Sequence, residues 1–382
     1  MNSVEWLETL ISFDTTSRHS NMGLVRAIQA QLAPYSALST RVTYDTSKEK
    51  ANLFITIPAA DGNFKKNGLI LSGHMDVVPV DGQAWATDPF KAVVTADRVY
   101  GRGACDMKGF IAVVLALVPH FLQQSLKNPL HFAFTYDEEV GGLGVPGLIA
   151  DFQQAGFQPA ACIVGEPTDM HIVVAHKGIS TFRCRIKGRA AHSSLTPQGC
   201  NAIEHAAQFI TWIRGLAEQF KQQGPFDDAY DVSFSTITTN KIQGGTALNI
   251  IPDGCEFAFE LRHLPEVSVT NVVAQIQNYA KEVLLPQMKK EFSDAMIEIV
   301  PICGVPEFAS TADFTKLAEV LQEHTKKQQK VSYATEAGFF QQAGIPTLIC
   351  GPGNIAQAHR ADEFILLEQM RLCERVLGAI GK

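Results

Sequence analysis

Four short runs, 69–73, 130–136, 160–164 and 346–350, are almost wholly apolar, and each is bounded by glycine, proline or acidic residues. Runs of this length without polar alternation predict strands buried on both faces, as in a parallel sheet. Apolar residues recur at helical spacing over 4–13, 22–32 and 110–124 and predict helices there. Strands alternating with helices define an α/β domain, a mostly parallel sheet between helices.

The pattern changes near His176-Lys177-Gly178. A strand with alternating sides over 180–187 is followed by a helix at 201–220, strands at 232–242 and 256–261, a helix at 268–285 and a strand at 296–300. The order β-α-β-β-α-β is the ferredoxin-like split βαβ arrangement, an α+β block that reads as an insertion. Beyond Pro301 the α/β pattern returns with a helix at 311–326. The expected organisation is a discontinuous catalytic domain, 1–177 and 301–382, with an inserted domain, 178–300.

The strand ends carry the chemistry. His74-Met75-Asp76 follows the first run, Asp137-Glu138-Glu139 the second, Gly165-Glu166-Pro167 the third, and Gly351-Pro352-Gly353 with His359 the last. Asp106 lies in the glycine-rich turn 101–109, just before an apolar helix. Ligands of open α/β sheets bind at the carboxyl ends of strands. Adjacent carboxylates repel unless a cation compensates or one keeps its proton for chemistry. His74, Asp106, Glu139, Glu166 and His359 offer two imidazoles and three carboxylates, a mixed N/O set that suits zinc, cobalt or manganese. Two cations fit five donors if Asp106 bridges them, and Asp76 is placed to orient the His74 imidazole. Glu138 is then left as the general base of a metal-assisted hydrolysis.

His74-Met-Asp76, Gly-Arg-Gly-x-x-Asp106-Met-Lys-Gly, Asp-Glu138-Glu139-x-Gly-Gly, Gly-Glu166-Pro-Thr and the late His359 resemble, in order and over nearly the whole chain, the signature of the dinuclear-zinc aminoacylase and carboxypeptidase family. The resemblance implies a zinc-exopeptidase-like catalytic domain and an inserted domain that serves as lid and dimerisation module. It implies two divalent metal ions, zinc first and cobalt second, on His74, Asp106, Glu139, Glu166 and His359. Asp106 bridges, Glu138 is the base, and Asp76 holds His74. It further implies that His192, in the small-residue loop 188–197, reaches the scissile carbonyl of the partner subunit in a homodimer. Gly244-Gly245-Thr246-Ala247-Leu248-Asn249, Phe259-Glu260-Leu261-Arg262 and Ala334-Thr335-Glu336-Ala337 look most like the branch that removes the acetyl group from N2-acetylornithine in arginine biosynthesis. Other branches cleave succinyl-diaminopimelate, N-acyl amino acids or short peptides. In the acetylornithine branch, Arg262 would grip the α-carboxylate of this small N-acyl amino acid, Asn249 place the amide, and Glu336 pair with the side-chain ammonium.

Composition narrows the field. A chain of 382 residues, 46% hydrophobic, can bury a large core and accommodates two domains. A net charge of -7 with no Lys or Arg run longer than two residues argues against nucleic acid or an anionic membrane as partner. The amino terminus carries Glu5 and Glu8 where a signal peptide needs positive charge, so a cytoplasmic enzyme is expected. The eight cysteines include no C-x-x-C pair and read as reduced, buried thiols, Cys105 among them as a small filler beside Asp106. Gly142-Leu-Gly144-Val-Pro-Gly147 matches a dinucleotide fingerprint, but the acids 137–139 at its mouth would repel a phosphate and Pro146 has no N–H to donate. A non-catalytic metal-binding or substrate-binding protein would have no use for the spare Glu138.

Overall fold

The computed structural model describes residues 1–310 and 328–380. Its principal strands are β1 (Ser39–Tyr44), β2 (Ala51–Ile57), β3 (Leu69–His74), β4 (Leu130–Thr135), β5 (Ala161–Val164), β6 (Ile172–His176), β7 (Gly178–Lys187), β8 (Thr236–Gly244), β9 (Gly254–His263), β10 (Met296–Val305) and β11 (Thr347–Ile349). The chain divides into two units, Met1–Ala175 with Ala309–Lys330 and Thr335–Lys382, and His176–Phe308 with Val331–Ala334. The second unit extends past the expected end at 300 because β10 runs to Val305. Pro301 reads as a strand stop, but a register shift between Pro301 and Cys303 absorbs it and pairing with β7 resumes.

In the first unit the sheet order is β1-β2-β4-β3-β5-β11-β6. β4, β3, β5 and β11 are mutually parallel, whereas β1, β2 and β6 join antiparallel. The centre of the sheet is therefore the parallel part, and the apolar run of β3 is buried from Ile70 to His74. The helix Ser3–Ile11, opened by a capping box between Asn2 and Glu5, and the helix Leu367–Gly378 both pack on Gly109–Ala116. Leu7, Leu10, Phe110, Ile111, Val114, Phe132, Met370 and Cys373 belong to this core. Ala104–Leu122 is long and apolar enough to cross a membrane, yet 72% of its apolar window is buried inside this unit, as a core helix requires.

In the second unit an antiparallel sheet, β8-β9-β7-β10, is built from elements in the order β-α-β-β-α-β, with helices Ala202–Gln223 and Val269–Tyr279. Both helices begin at side-chain caps, Asn201 accepting from Ile203 and Glu204 and Ser268 accepting from Asn271. β9 alternates buried and half-buried residues, and Phe257, Phe259 and Leu261 meet Phe182, Phe209 and Met288 in a core of their own. The helix expected at 311–326 lies outside the described residues. All eight cysteines are free, and Cys105 is buried with its thiol directed at the Asn354 carbonyl, 3.4 Å away.

Candidate metal centre

Parallel pairing puts the carboxyl ends of β3, β4, β5 and β11 on one side of the sheet, so chemistry coded far apart in sequence converges there. His74 is the last residue of β3, Asp137-Glu138-Glu139 follow β4 by one residue, and Glu166 follows β5. Asp106 is delivered by the turn before the core helix. Gly103 holds φ at +79°, and a Cβ there would stand 2.6 Å from Val77 Cγ1, so only glycine lets this turn close against the sheet. The buried Lys108 ammonium ties the same turn to the first helix by donating to the carbonyls of Leu10 at 3.0 Å and Phe13 at 2.9 Å.

Asp106 stands between the two imidazoles. Its Oδ1 lies 3.0 Å from His74 Nε2, and its Oδ2 lies 3.5 Å from His359 Nε2. Glu166 Oε1 approaches His74 Nε2 to 3.7 Å, while Glu139 Oε2 approaches His359 Nε2 to 3.1 Å. The close imidazole contacts thus divide, His74 to Glu166 and His359 to Glu139, about a shared Asp106, and ligand atoms of His74, Asp106 and Glu139 also lie within 4.8 Å of one another. Among the described residues no ion pair joins Glu138 to either imidazole. His74 and Glu166 are buried, whereas the His359 side chain is 56% exposed on a loop where its φ is +61°.

Asp76 meets the His74 imidazole through both its main chain and its carboxylate. His74 Nδ1 is 2.9 Å from the main-chain oxygen of Asp76 and 3.6 Å from its carboxylate, so the carbonyl makes the closer contact with the imidazole. The carboxylate also accepts from Ser17 Oγ at 2.7 Å and from the backbone N–H groups of Glu138 at 3.0 Å and Glu139 at 3.2 Å.

The electrostatics of this cluster call for added positive charge. Burial pushes the carboxyls of Glu138 and Glu166 well above the usual range, and neighbouring acids reinforce the effect. Burial and then the charge of Asp106 take Glu139 to about 7, and burial takes Glu336 to about 7. His359 is raised to about 10 by its bonds to Asp106 and Glu139. Burial opposes the charged form of His74, but contacts with Asp106 and Asp76 lift its pKa well above the ordinary value. Glu139 Oε1 and Glu336 Oε1 are buried without a hydrogen-bond partner. Orphaned carboxylate oxygens beside imidazoles are a donor set that divalent cations satisfy, and the residues present fit a pair of them.

Glu336 is 1% exposed, with Ser72 Oγ 3.4 Å from its Oε2. His192, Asn249 and Arg262 belong to the second unit. His192 pairs with Ile250 in a short ladder, and Ser193 N–H donates to the Asn249 carbonyl at 3.0 Å, so His192 and Asn249 are neighbours there. Arg262 on β9 binds Glu260 at 2.6 Å. A further cluster, Cys200, His205 and Glu291, is closed by His205 Nε2 to Glu291 Oε2 at 3.1 Å. Burial and then Glu291 push the Cys200 thiol up to about 11, which keeps that thiol neutral. Sequence reasoning missed Glu363, which is 1% exposed and receives the backbone N–H of Asp106 at 3.0 Å.

Carboxylates and imidazoles gathered at the carboxyl ends of a parallel sheet define a hydrolase of the metallopeptidase class. The chain belongs to peptidase family M20/M25/M40, whose family pattern matches residues 70–381. It is 34% identical to the acetylornithine deacetylase of Pasteurella multocida (strain Pm70) over 362 residues, 94% of this chain and 90% of that protein. It is also 34% identical to the acetylornithine deacetylase of Myxococcus xanthus over 376 residues, 97% of this chain and 94% of that protein. An M20 family metallo-carboxypeptidase from Sulfolobus solfataricus has the same fold, with a TM-score of 0.75 at 16% identity over 99% of this chain and 98% of that one. So does a dinuclear metal binding peptidase of the M20 family from Bacillus subtilis, with a TM-score of 0.68 at 15% identity over 99% and 96% of the two chains.

Proposed function

We propose that this enzyme is a metal-dependent amidohydrolase that removes the acetyl group from N2-acetylornithine, yielding ornithine and acetate, a step of arginine biosynthesis. The observation that carries the reaction is the division of the close imidazole contacts about Asp106, with Glu138 joined by an ion pair to neither imidazole among the described residues. The substrate assignment rests on the names of the relatives that match most of the chain.

On this reading His74, Glu166 and Asp106 would hold one cation and His359, Glu139 and Asp106 the other; zinc is the preferred ion and cobalt the alternative. When bound, such a pair polarises the amide carbonyl and makes a water acidic enough to ionise near neutral pH. Glu138 would take a proton from the attacking water and pass it to the amine nitrogen as the C–N bond breaks. Asp76, by holding the N–H groups of Glu138 and Glu139, keeps base and ligand at a fixed spacing.

His192 is assigned to the developing oxyanion. The N–H of Ser194 points at His192 Nδ1 from 3.2 Å, so that nitrogen accepts and Nε2 is left to donate. We assign it to the site of the partner subunit in a cytoplasmic homodimer, with the inserted unit as lid and dimerisation module. Arg262 would take the substrate α-carboxylate, Asn249 the amide, and Glu336 the side-chain ammonium. Turnover of N-acetylornithine, N-acetylmethionine, N-succinyl-diaminopimelate and a dipeptide by the metal-loaded enzyme tests the assignment. N-acetylornithine should have the highest kcat/KM; a better desuccinylase or dipeptidase activity would move the protein to another branch of its family.

A further inference from the structure

We infer that Glu363 is a positioning residue that holds both halves of the metal centre in register, the Asp106 turn directly and the His359 loop through Arg102 and Gln83. The inference rests on the metal reading above.

Glu363 carries a fully buried carboxylate with four donors around it. Oε1 accepts the backbone N–H of Cys105 at 2.8 Å and of Asp106 at 3.0 Å. Oε2 accepts the N–H of Gly103 at 2.9 Å and Nη1 of Arg102 at 2.8 Å. Both partners of that ion pair are 1% exposed. Pairing and hydrogen bonds offset the cost of burying the two charges, and removing one partner leaves the other uncompensated. The carboxylate therefore fixes three backbone N–H groups of the turn that presents the shared ligand.

The second arm runs from Arg102. Its Nη1 also donates to the Arg360 carbonyl at 3.2 Å, and its Nη2 donates to Gln83 Oε1 at 2.5 Å. The guanidinium lies 5.0 Å from the centre of the Trp85 ring, and Trp85 Nε1 donates to the same Gln83 oxygen at 3.0 Å. With two donors on its oxygen, the Gln83 amide has one orientation, and its Nε2 donates to the His359 carbonyl at 2.9 Å. The His359 loop is otherwise poorly enclosed, since its imidazole is 56% exposed. Gln83 and Arg102 thus give an exposed ligand a buried reference point, the one that also sets Asp106.

The arrangement predicts a split that simple loss of packing would not produce. Groups that orient metal ligands from outside typically contribute about 10- to 100-fold in metal affinity. Gln83→Ala cuts the arm to His359 and leaves the Asp106 turn intact, so one zinc should weaken by about 10- to 100-fold while the other is unchanged. Glu363→Gln disturbs the shared ligand and should weaken both. The experiment is calorimetric titration of zinc into the demetallated full-length wild type and each variant, with thermal unfolding of the metal-free proteins as the fold control. Should Glu363→Gln fail to fold, half-buried Gln83 decides alone. Two unchanged dissociation constants in folded Gln83→Ala, or equal weakening of both, overturn the inference. Failure of the wild type to bind two zinc ions per chain overturns the metal reading itself and appears before any variant is made.

Discussion

The carboxylate of Asp76 accepts the backbone N–H of Glu138 at 3.0 Å, and its other oxygen accepts that of Glu139 at 3.2 Å. The residue that touches His74 through its carbonyl thus uses its side chain to set the loop that carries the assigned base and a ligand. In Asp76→Asn the amide has only one acceptor oxygen, so one loop N–H loses its partner. The expected outcome is a folded enzyme whose kcat/KM for N-acetylornithine drops by about 10- to 100-fold with weaker zinc retention. Steady-state kinetics and metal analysis check this, and unchanged values would mean that the loop holds itself.

Glu336 separates two roles. A buried carboxylate rewards a cationic side chain and is left unpaired by an apolar one, so Glu336→Gln should narrow the lead of N-acetylornithine over N-acetylmethionine. The ratio of the two kcat/KM values is the readout. If both fall equally, the 1% exposed Glu336 acts as a charge behind the ligands and not as a substrate contact.

The strand ends were legible in the sequence because β3, β4, β5 and β11 are buried on both faces and so read as unbroken apolar runs ending in His, Glu or Gly. β1 and β2 were not. β1 is a half-exposed, polar flanking strand, and in β2 the buried Asn52 looks like a loop residue until its amide is seen donating to the Gly144 carbonyl at 2.9 Å. The five donors stood out because each sits beside a turn signal. Glu363 did not, since its partner Arg102 is 261 positions away and no spacing rule connects them. Asp76 reads from the sequence as the partner of His74; that its carboxylate also holds the amides of a loop 62 residues on is a property of the folded sheet.

His131 gives the fold a pH signature away from the site. Burial lowers its pKa to about 4; Thr56 Oγ1 is 2.9 Å from Nδ1, and Nε2 has no partner. The unfolded ring titrates near 6.5, so between about 6.5 and 4 the unfolded chain holds the extra proton. The stability this ring contributes is complete above pH 6.5 and is lost on acidification, by up to about 1.4 kcal/mol per pH unit. The difference in unfolding free energy between wild type and His131→Gln should shrink over that window. A difference that stays flat would mean that the folded protein protonates the ring freely.

Sharing of sites between subunits is tested by mixing two inactive chains. Hybrids of His192→Ala with Glu138→Ala should recover activity, because the site that keeps Glu138 receives His192 from its partner. Verified hybrids without activity would place His192 in its own chain's site.

With two cations sharing Asp106, the neighbouring acids Glu138 and Glu139 divide base from ligand on the proposed reading. Metal content and N-acetylornithine turnover of Glu138→Ala and Glu139→Ala, measured side by side, test it most directly. Glu138→Ala should keep two metal ions per chain and lose nearly all kcat, whereas Glu139→Ala should lose affinity for one ion. Metal loss in Glu138→Ala with both ions retained in Glu139→Ala would contradict it.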